Sequence, residues 1–207
     1  MDKVNILEKY LPEGTAPVIG RWIDYFQCEF KISRNRSSKH GDYRPPFKNS
    51  GHRISVNCNL NQYAFLVTTV HEFAHLLTWN EHKRKAKPHG VEWKLNFKKM
   101  MRPFFAVHAF PEDVQQAITA YLNNPSASSC TDLNLFRVLK SYDTKPEGES
   151  TVAVEKLPEH SLFSMKNGRV FRKEIRIRKR YRCVEIKSGA VYLFNPLAEV
   201  IPLAEAV

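Results

Sequence analysis

Residues His71-Glu72-Phe73-Ala74-His75 form an H-E-x-x-H motif, and His89-Gly90-Val91-Glu92-Trp93 follows shortly after it. Four residues of α-helix advance about 6 Å and turn about 400°. His71 and His75 therefore leave one face as a pair of imidazole donors, with Glu72 one step round. With a third protein ligand such a pair makes a zinc site that keeps its fourth position for water, whose pKa the metal lowers to about 7. Glu72 is then the general base for attack on a carbonyl. The pattern predicts metal-assisted hydrolysis, with His71 and His75 on Zn²⁺ and Glu72 as the catalytic residue.

The third ligand is chosen from three residues. His82 comes seven residues after His75, one too many for the spacing H-E-x-x-H-x-x-G-x-x-H, and the glycine of that pattern is absent, so it reads as surface. His89 follows a basic loop ending in Pro88 and opens a second apolar-periodic stretch, Val91 to Phe97, where a helix returns toward the first. Glu92 is the carboxylate alternative, although an acidic residue in a first helical turn is expected for the helix dipole alone. His89 is the preferred ligand.

The elements that must hold these residues follow from the pattern around them. Asn59 to Val70 offers asparagine for a cap and then apolar residues without Gly or Pro, which predicts a buried helix continuing through Trp79. The bland alternative is a core helix with two hydrogen-bonded histidines, but a buried Glu72 beside them would then be costly to desolvate. Residues 2 to 10 and 16 to 26 read as helices, the second with Pro17 in its first turn. Residues 28 to 36 and 51 to 58 read as strands, with Gly41, Pro45, Pro46 and Gly51 marking turns between them. A further helix starts at Phe110-Pro111-Glu112-Asp113 and reaches about Leu122. His108 reads as a core or cap histidine. Trp79 and Trp93 flank the two ligand segments and are expected to pack the metal helices together.

Residues 1–125 are thus expected to form one domain, 126–150 a polar linker, and 151–207 a basic β-rich unit. The 207 residues, 43% of them hydrophobic, suffice for one good core and one small accessory unit. No apolar stretch approaches a membrane span, and the start of the chain has no uninterrupted apolar run of a signal peptide. Cys28, Cys58, Cys130 and Cys183 are few and irregularly spaced, which fits a reducing compartment and predicts a cytoplasmic protein.

Val70-His71-Glu72-x-x-His75-Leu76, the basic loop, His89-Gly90-x-x-Trp93, the upstream Arg36-x-x-Lys39-x-Gly41-Asp42-Tyr43 and Ile54-Ser55-Val56-Asn57 together resemble the SprT-like, Spartan-related zinc metalloprotease family over roughly residues 15 to 105. The resemblance implies an α+β fold with a small zincin-like domain, zinc on His71, His75 and His89, and Glu72 as the catalytic glutamate. It also implies proteolysis of proteins bound or crosslinked to DNA, a DNA-repair role. One departure stands out. Many such proteins end in a zinc ribbon with paired cysteines, whereas this chain has no C-x-x-C, so it corresponds to a bacterial-type member without that module. Cys130 and Cys183 then read as ordinary thiols. Tyr43, Arg44 and His52 lie near the segment resembling the family's sheet edge, where a peptide substrate adds as a strand and an oxyanion donor sits; a structural role is the simpler expectation for each.

From about residue 151 the periodicity becomes two. Arg176, Arg178, Arg180 and Arg182 alternate with Ile175, Ile177, Tyr181 and Cys183, interrupted by Lys179. A strand would put the arginines on one face about 7 Å apart, able to track a phosphate backbone, with Arg169, Arg172 and Lys187 adding to the patch. Val152 to Leu157 and Ala190 to Phe194 supply partner strands. A solvated face that guards an edge strand explains the same stripe, but the chain carries a formal charge of +11, with excess also in Lys31 to Arg53 and Lys83 to Lys87. That balance favours DNA bound without sequence specificity over a membrane surface. The expectation is a zinc endopeptidase acting on DNA-associated proteins; the alternative is a nucleic-acid-associated zinc protein with little or no protease activity.

Overall fold

A computed structural model describes residues 3–36, 39–123, 125, 132–144 and 150–203. The chain is mixed α and β and divides into two compact units, Met1–Thr144 and Lys145–Val207. No helix among the described residues is long and apolar enough to cross a membrane.

The first unit begins with two helices, α1 (Lys3–Leu7) and α2 (Ala16–Tyr25). A three-stranded sheet follows, made of β1 (Glu29–Ser33), β2 (Gly41–Arg44) and β3 (Arg53–Asn57) in the order β1-β3-β2. β3 runs parallel to β1 and antiparallel to β2. Its alternation is decisive: Ile54 and Val56 are buried in the core, while Arg53 and Ser55 take the outer face. β2 was expected as a turn. Its short polar sequence has no apolar alternation, and pairing with β3 makes it a strand.

Under the sheet lies α3 (Gln62–His82), started by Asn61, whose side chain accepts from the Tyr63 and Ala64 backbone N–H groups at 3.1 and 3.0 Å. Of the two asparagines that segment offers, Asn61 is the cap, and the helix outlasts Trp79 by one turn. Contact with β2, β3, α4 (Val91–Ala106) and α6 (Leu133–Lys140) explains why α3 is apolar on nearly every side. Buried Asn96 of α4 donates to Thr78 Oγ1 at 3.1 Å and to Glu81 Oε2 at 2.7 Å, which fixes the two helices against each other. Helix α5 (Glu112–Asn123) packs on α4 and α6.

The expected linker 126–150 contains α6, capped by Asp132, whose carboxylate accepts from Leu135 N at 2.9 Å. Leu135 and Leu139 bury the helix in the core of the first unit. Cys130 and the other residues of 126–131 and 145–149 lie outside the described residues.

The second unit is β-rich. Strands β4 (Val152–Ala153), β5 (Leu162–Ser164), β6 (Val170–Ile177), β7 (Arg180–Glu185), β8 (Val191–Phe194) and β9 (Glu199–Pro202) form an antiparallel sheet ordered β4-β9-β5-β6-β7-β8. Its core comprises Val154, Leu157, Phe163, Phe171, Cys183 and Val200. Residues 174 to 183 are not one strand. The chain reverses at Arg178 and Lys179, with Arg178 at φ 53°, and an irregularity between Lys173 and Arg176 shifts the register. Ile175 and Ile177 are consequently exposed, at 56% and 42%.

Candidate metal centre

Helix α3 presents His71 and His75 one turn apart, and the α3–α4 connection brings His89 back to them. That return needs an unusual backbone. Lys83 and His89 both adopt positive φ, 53° and 57°, and Gly90 follows where an added Cβ would lie 3.0 Å from the Lys87 carbonyl oxygen and 3.1 Å from Glu92 Oε2. A residue outside the favoured region beside a polar cluster marks a place where the fold holds a side chain against local preference.

The three Nε2 atoms converge. His71 to His75 is 3.2 Å, His75 to His89 is 2.9 Å and His89 to His71 is 3.1 Å. A tetrahedral Zn²⁺ with Zn–N bonds of about 2.0–2.1 Å requires donors roughly 3.3 Å apart, so the set fits a cation of that size. Three imidazoles are also a donor set suited to zinc, copper, iron or nickel. Among the described residues this is the group of His, Cys, Asp and Glu side chains that can hold a metal ion. Glu92 is outside it, and His82 is a surface residue beside Glu81.

Burial disfavours protonation of all three rings. His71 is held well below the ordinary histidine range by burial and by its two neighbours; His75 is pushed down to about 3 by burial and then by His89; His89 is lowered by burial. Neutral imidazole is the metal-binding form. Trp93, fully buried, packs against all three rings with centroid separations of 4.7 Å to His71, 5.3 Å to His75 and 4.7 Å to His89. Phe97 stacks on Trp93 from behind at 5.1 Å. Trp93, which follows His89, thus packs the two histidine-bearing segments together.

Glu72 faces β2. It is 7% exposed and accepts a hydrogen bond from the Tyr43 backbone N–H. Burial pushes its carboxyl up to about 8, Asp42 adds to the rise, and Lys39 and Arg36 oppose it. Asp42 is itself desolvated, which raises its pKa, but hydrogen bonds from Lys39 and Arg44 outweigh this and hold it below the usual range. Tyr43, on the same face of β2 as Gly41, lies parallel to the His75 ring at 6.3 Å, with its hydroxyl 3.0 Å from His52 Nδ1.

Behind this edge, Asn57 ties the approach to β2. Its amide donates to the carbonyls of Arg36 and Lys39 at 3.0 and 2.9 Å, and its oxygen accepts from Arg36 Nε at 2.7 Å. Gly41 and Asn57 were not singled out as functional residues from sequence reasoning. Their signal lay in the family-like segments, without a physical role attached.

The four arginines of the second unit do not form a stripe. Directly opposed residues of an antiparallel ladder share a face, and Arg176 opposes Tyr181 whereas Ile177 opposes Arg180. Arg180 and Arg182 therefore face away from Arg176, Arg178 sits in the turn, and Arg182 is ion-paired with Glu174. No family model, curated protein or solved structure matches this chain.

Proposed function

We propose that this protein is a zinc-dependent endopeptidase of the SprT-like kind, acting on proteins bound or crosslinked to DNA. The observation that carries the reading is the convergence of three neutral imidazole nitrogens within 3.2 Å of one another, beside a buried carboxyl on the same helix. His71, His75 and His89 would hold the ion. When bound, Zn²⁺ supplies Lewis acidity to the scissile carbonyl and makes an attacking water more acidic.

Glu72 moves the proton. As a carboxylate beside the bound cation it would accept the proton of the attacking water and give it up again to the leaving amine, and its withdrawal from water makes it a stronger base than an exposed glutamate. Tyr43 N–H orients it from β2, and Gly41 leaves room for it. The histidines and Trp93 keep the ligand frame rigid. The DNA-linked substrate class rests on the family resemblance and on the +11 charge.

Purified zinc-loaded wild type and Glu72→Gln, assayed on a DNA-binding protein with and without single- and double-stranded DNA, test this reading. Cleavage stimulated by DNA and abolished in Glu72→Gln at unchanged zinc content is the expected result. Cleavage indifferent to DNA keeps the peptidase and removes the DNA-linked role. Bound zinc and bound DNA without cleavage would transfer the assignment to a nucleic-acid-associated zinc protein.

A further inference from the structure

The outer face of the three-stranded sheet, turned away from α3, is a recess of about 310 Å³. Its lining includes Lys31, Arg36, Arg44 and Arg53, against Glu29 and Asp42. The arrangement follows from register: Arg53 of β3 stands directly opposite Arg44 of β2, and on its other side opposite Glu29 of β1. Directly opposed like charges, with Cβ atoms about 4.5–5.5 Å apart, are destabilising unless an anion lies between or above them.

Internal carboxylates supply that charge to Arg44 alone: Glu29, across from Arg53 on β1, makes no ion pair with it among the described residues. Asp42 uses one oxygen on Lys39 and the other on Arg44, at 2.7 and 2.9 Å. Arg36 spends its guanidinium on Asn57 and Ser55. Neither Arg53 nor Lys31 has an ion pair among the described residues, and Arg53 Nε is buried without a hydrogen-bond partner there. A guanidinium partly withdrawn from water with a buried Nε left without a hydrogen-bond partner is a costly arrangement. Cations on β1, β3 and β2 also spread over two strand spacings, roughly 10 Å, wider than a single phosphate group.

We propose that this recess binds the sugar–phosphate backbone of nucleic acid, through Arg44 and Arg53 abreast with Lys31 beside them. Guanidinium forks match phosphate oxygens in pairs. The site lies on β2, whose opposite face carries Gly41 against Glu72 and Tyr43 against His75. Nucleic acid therefore grips the strand that borders the metal-site helix; this consequence rests on the hydrolase reading, whereas the binding itself does not.

The experiment is fluorescence anisotropy of a labelled oligothymidine with the full-length zinc-loaded protein over a range of salt. The variants are Lys31→Gln/Arg53→Gln, the exposed Lys31→Gln alone, and Arg176→Gln/Arg180→Gln for comparison. Zinc content and thermal unfolding report whether each is folded. The double recess variant should bind at least about tenfold more weakly. The slope of log K against log salt should fall by about 0.7 for each cation removed; Lys31→Gln alone should show one such step, which keeps the test informative if the double variant does not fold. Unchanged affinity and slope in the recess variants overturns the proposal, as does loss confined to the Arg176/Arg180 variant. Displacement of the oligonucleotide by inorganic phosphate or polyglutamate as readily as by unlabelled oligothymidine would also overturn it, pointing to a free-anion or acidic-polypeptide site. The same measurement on Glu72→Gln, expected to bind like wild type, separates failure of this proposal from failure of the hydrolase reading.

Discussion

Gly41 lies directly against Glu72. A Cβ at position 41 would stand 2.9 Å from Glu72 Cγ and 2.7 Å from Thr68 Cγ2, and closer still to the Glu72 carboxyl. The neighbours are buried side chains of α3, so they have little room to give. Gly41→Ala should therefore destabilise the first unit by about 1–3 kcal/mol through overpacking. On the proposed hydrolase reading it should also lower peptide hydrolysis by up to about 100-fold, because a displacement on the order of 1 Å at Glu72 is enough. Zinc content should stay unchanged, since the ligands lie elsewhere. Thermal unfolding, metal analysis and turnover of the same sample check all three. Wild-type turnover in Gly41→Ala would mean that β2 does not hold Glu72.

Much of that relationship was hidden in the chain. The H-E-x-x-H helix was legible because an uninterrupted apolar run must be buried and its two histidines share a face whatever surrounds them. His89 was legible as a candidate third donor from its place before a second periodic helix, and it lies with His71 and His75 in one cluster. β2 was not, because Gly41-Asp42-Tyr43-Arg44 owes its strand to hydrogen bonds with β3, a tertiary effect beyond local propensity. α6 had signals, Asp132 as cap and Leu135 and Leu139 one turn apart, but they sat between polar stretches that read as linker. In the second unit the alternation from Glu174 to Cys183 looked continuous. Lys179 was the break in it, and that break is half of the hairpin turn.

Asn57 should be the residue that keeps the approach to β2 in place. It is 1% exposed, and its side chain serves two backbone carbonyls and the Arg36 guanidinium. Asn57→Ala leaves those carbonyls and a charged donor without their partner, which should cost about 1–3 kcal/mol. Amide hydrogen exchange should speed up first at Lys39 to Arg44. Uniform exchange across the first unit, with no local acceleration, would show that the hub is dispensable.

Metal-free protein should carry a pH signature of Glu72. Its carboxyl is raised from 4.5 to about 8, chiefly by burial. The folded state then holds a proton that the unfolded state releases, so the stability linked to the neutral carboxyl is full below about 4.5 and is lost as pH rises through about 8. Glu72→Gln removes this dependence. Denaturant unfolding of both metal-free proteins should give a difference in stability that shifts in favour of the variant from pH 5 to pH 9. A difference that stays flat with pH sinks the account of a desolvated carboxyl.

Trp93 should couple stability to metal affinity. Its ring is fully buried and touches all three imidazoles, so removing it leaves a cavity under the whole ligand set. Trp93→Ala should destabilise the metal-free protein by about 3–5 kcal/mol. If the variant remains folded, its zinc affinity should fall on the order of 10- to 100-fold, the range found when groups that orient metal ligands are removed. Trp93→Phe keeps an aromatic plane against the rings, and should retain most of the affinity while losing some stability. Chelator competition on the two variants and wild type separates the effects: equal zinc affinity in all three would mean that the imidazoles are positioned by α3 and the His89 backbone alone, without help from Trp93.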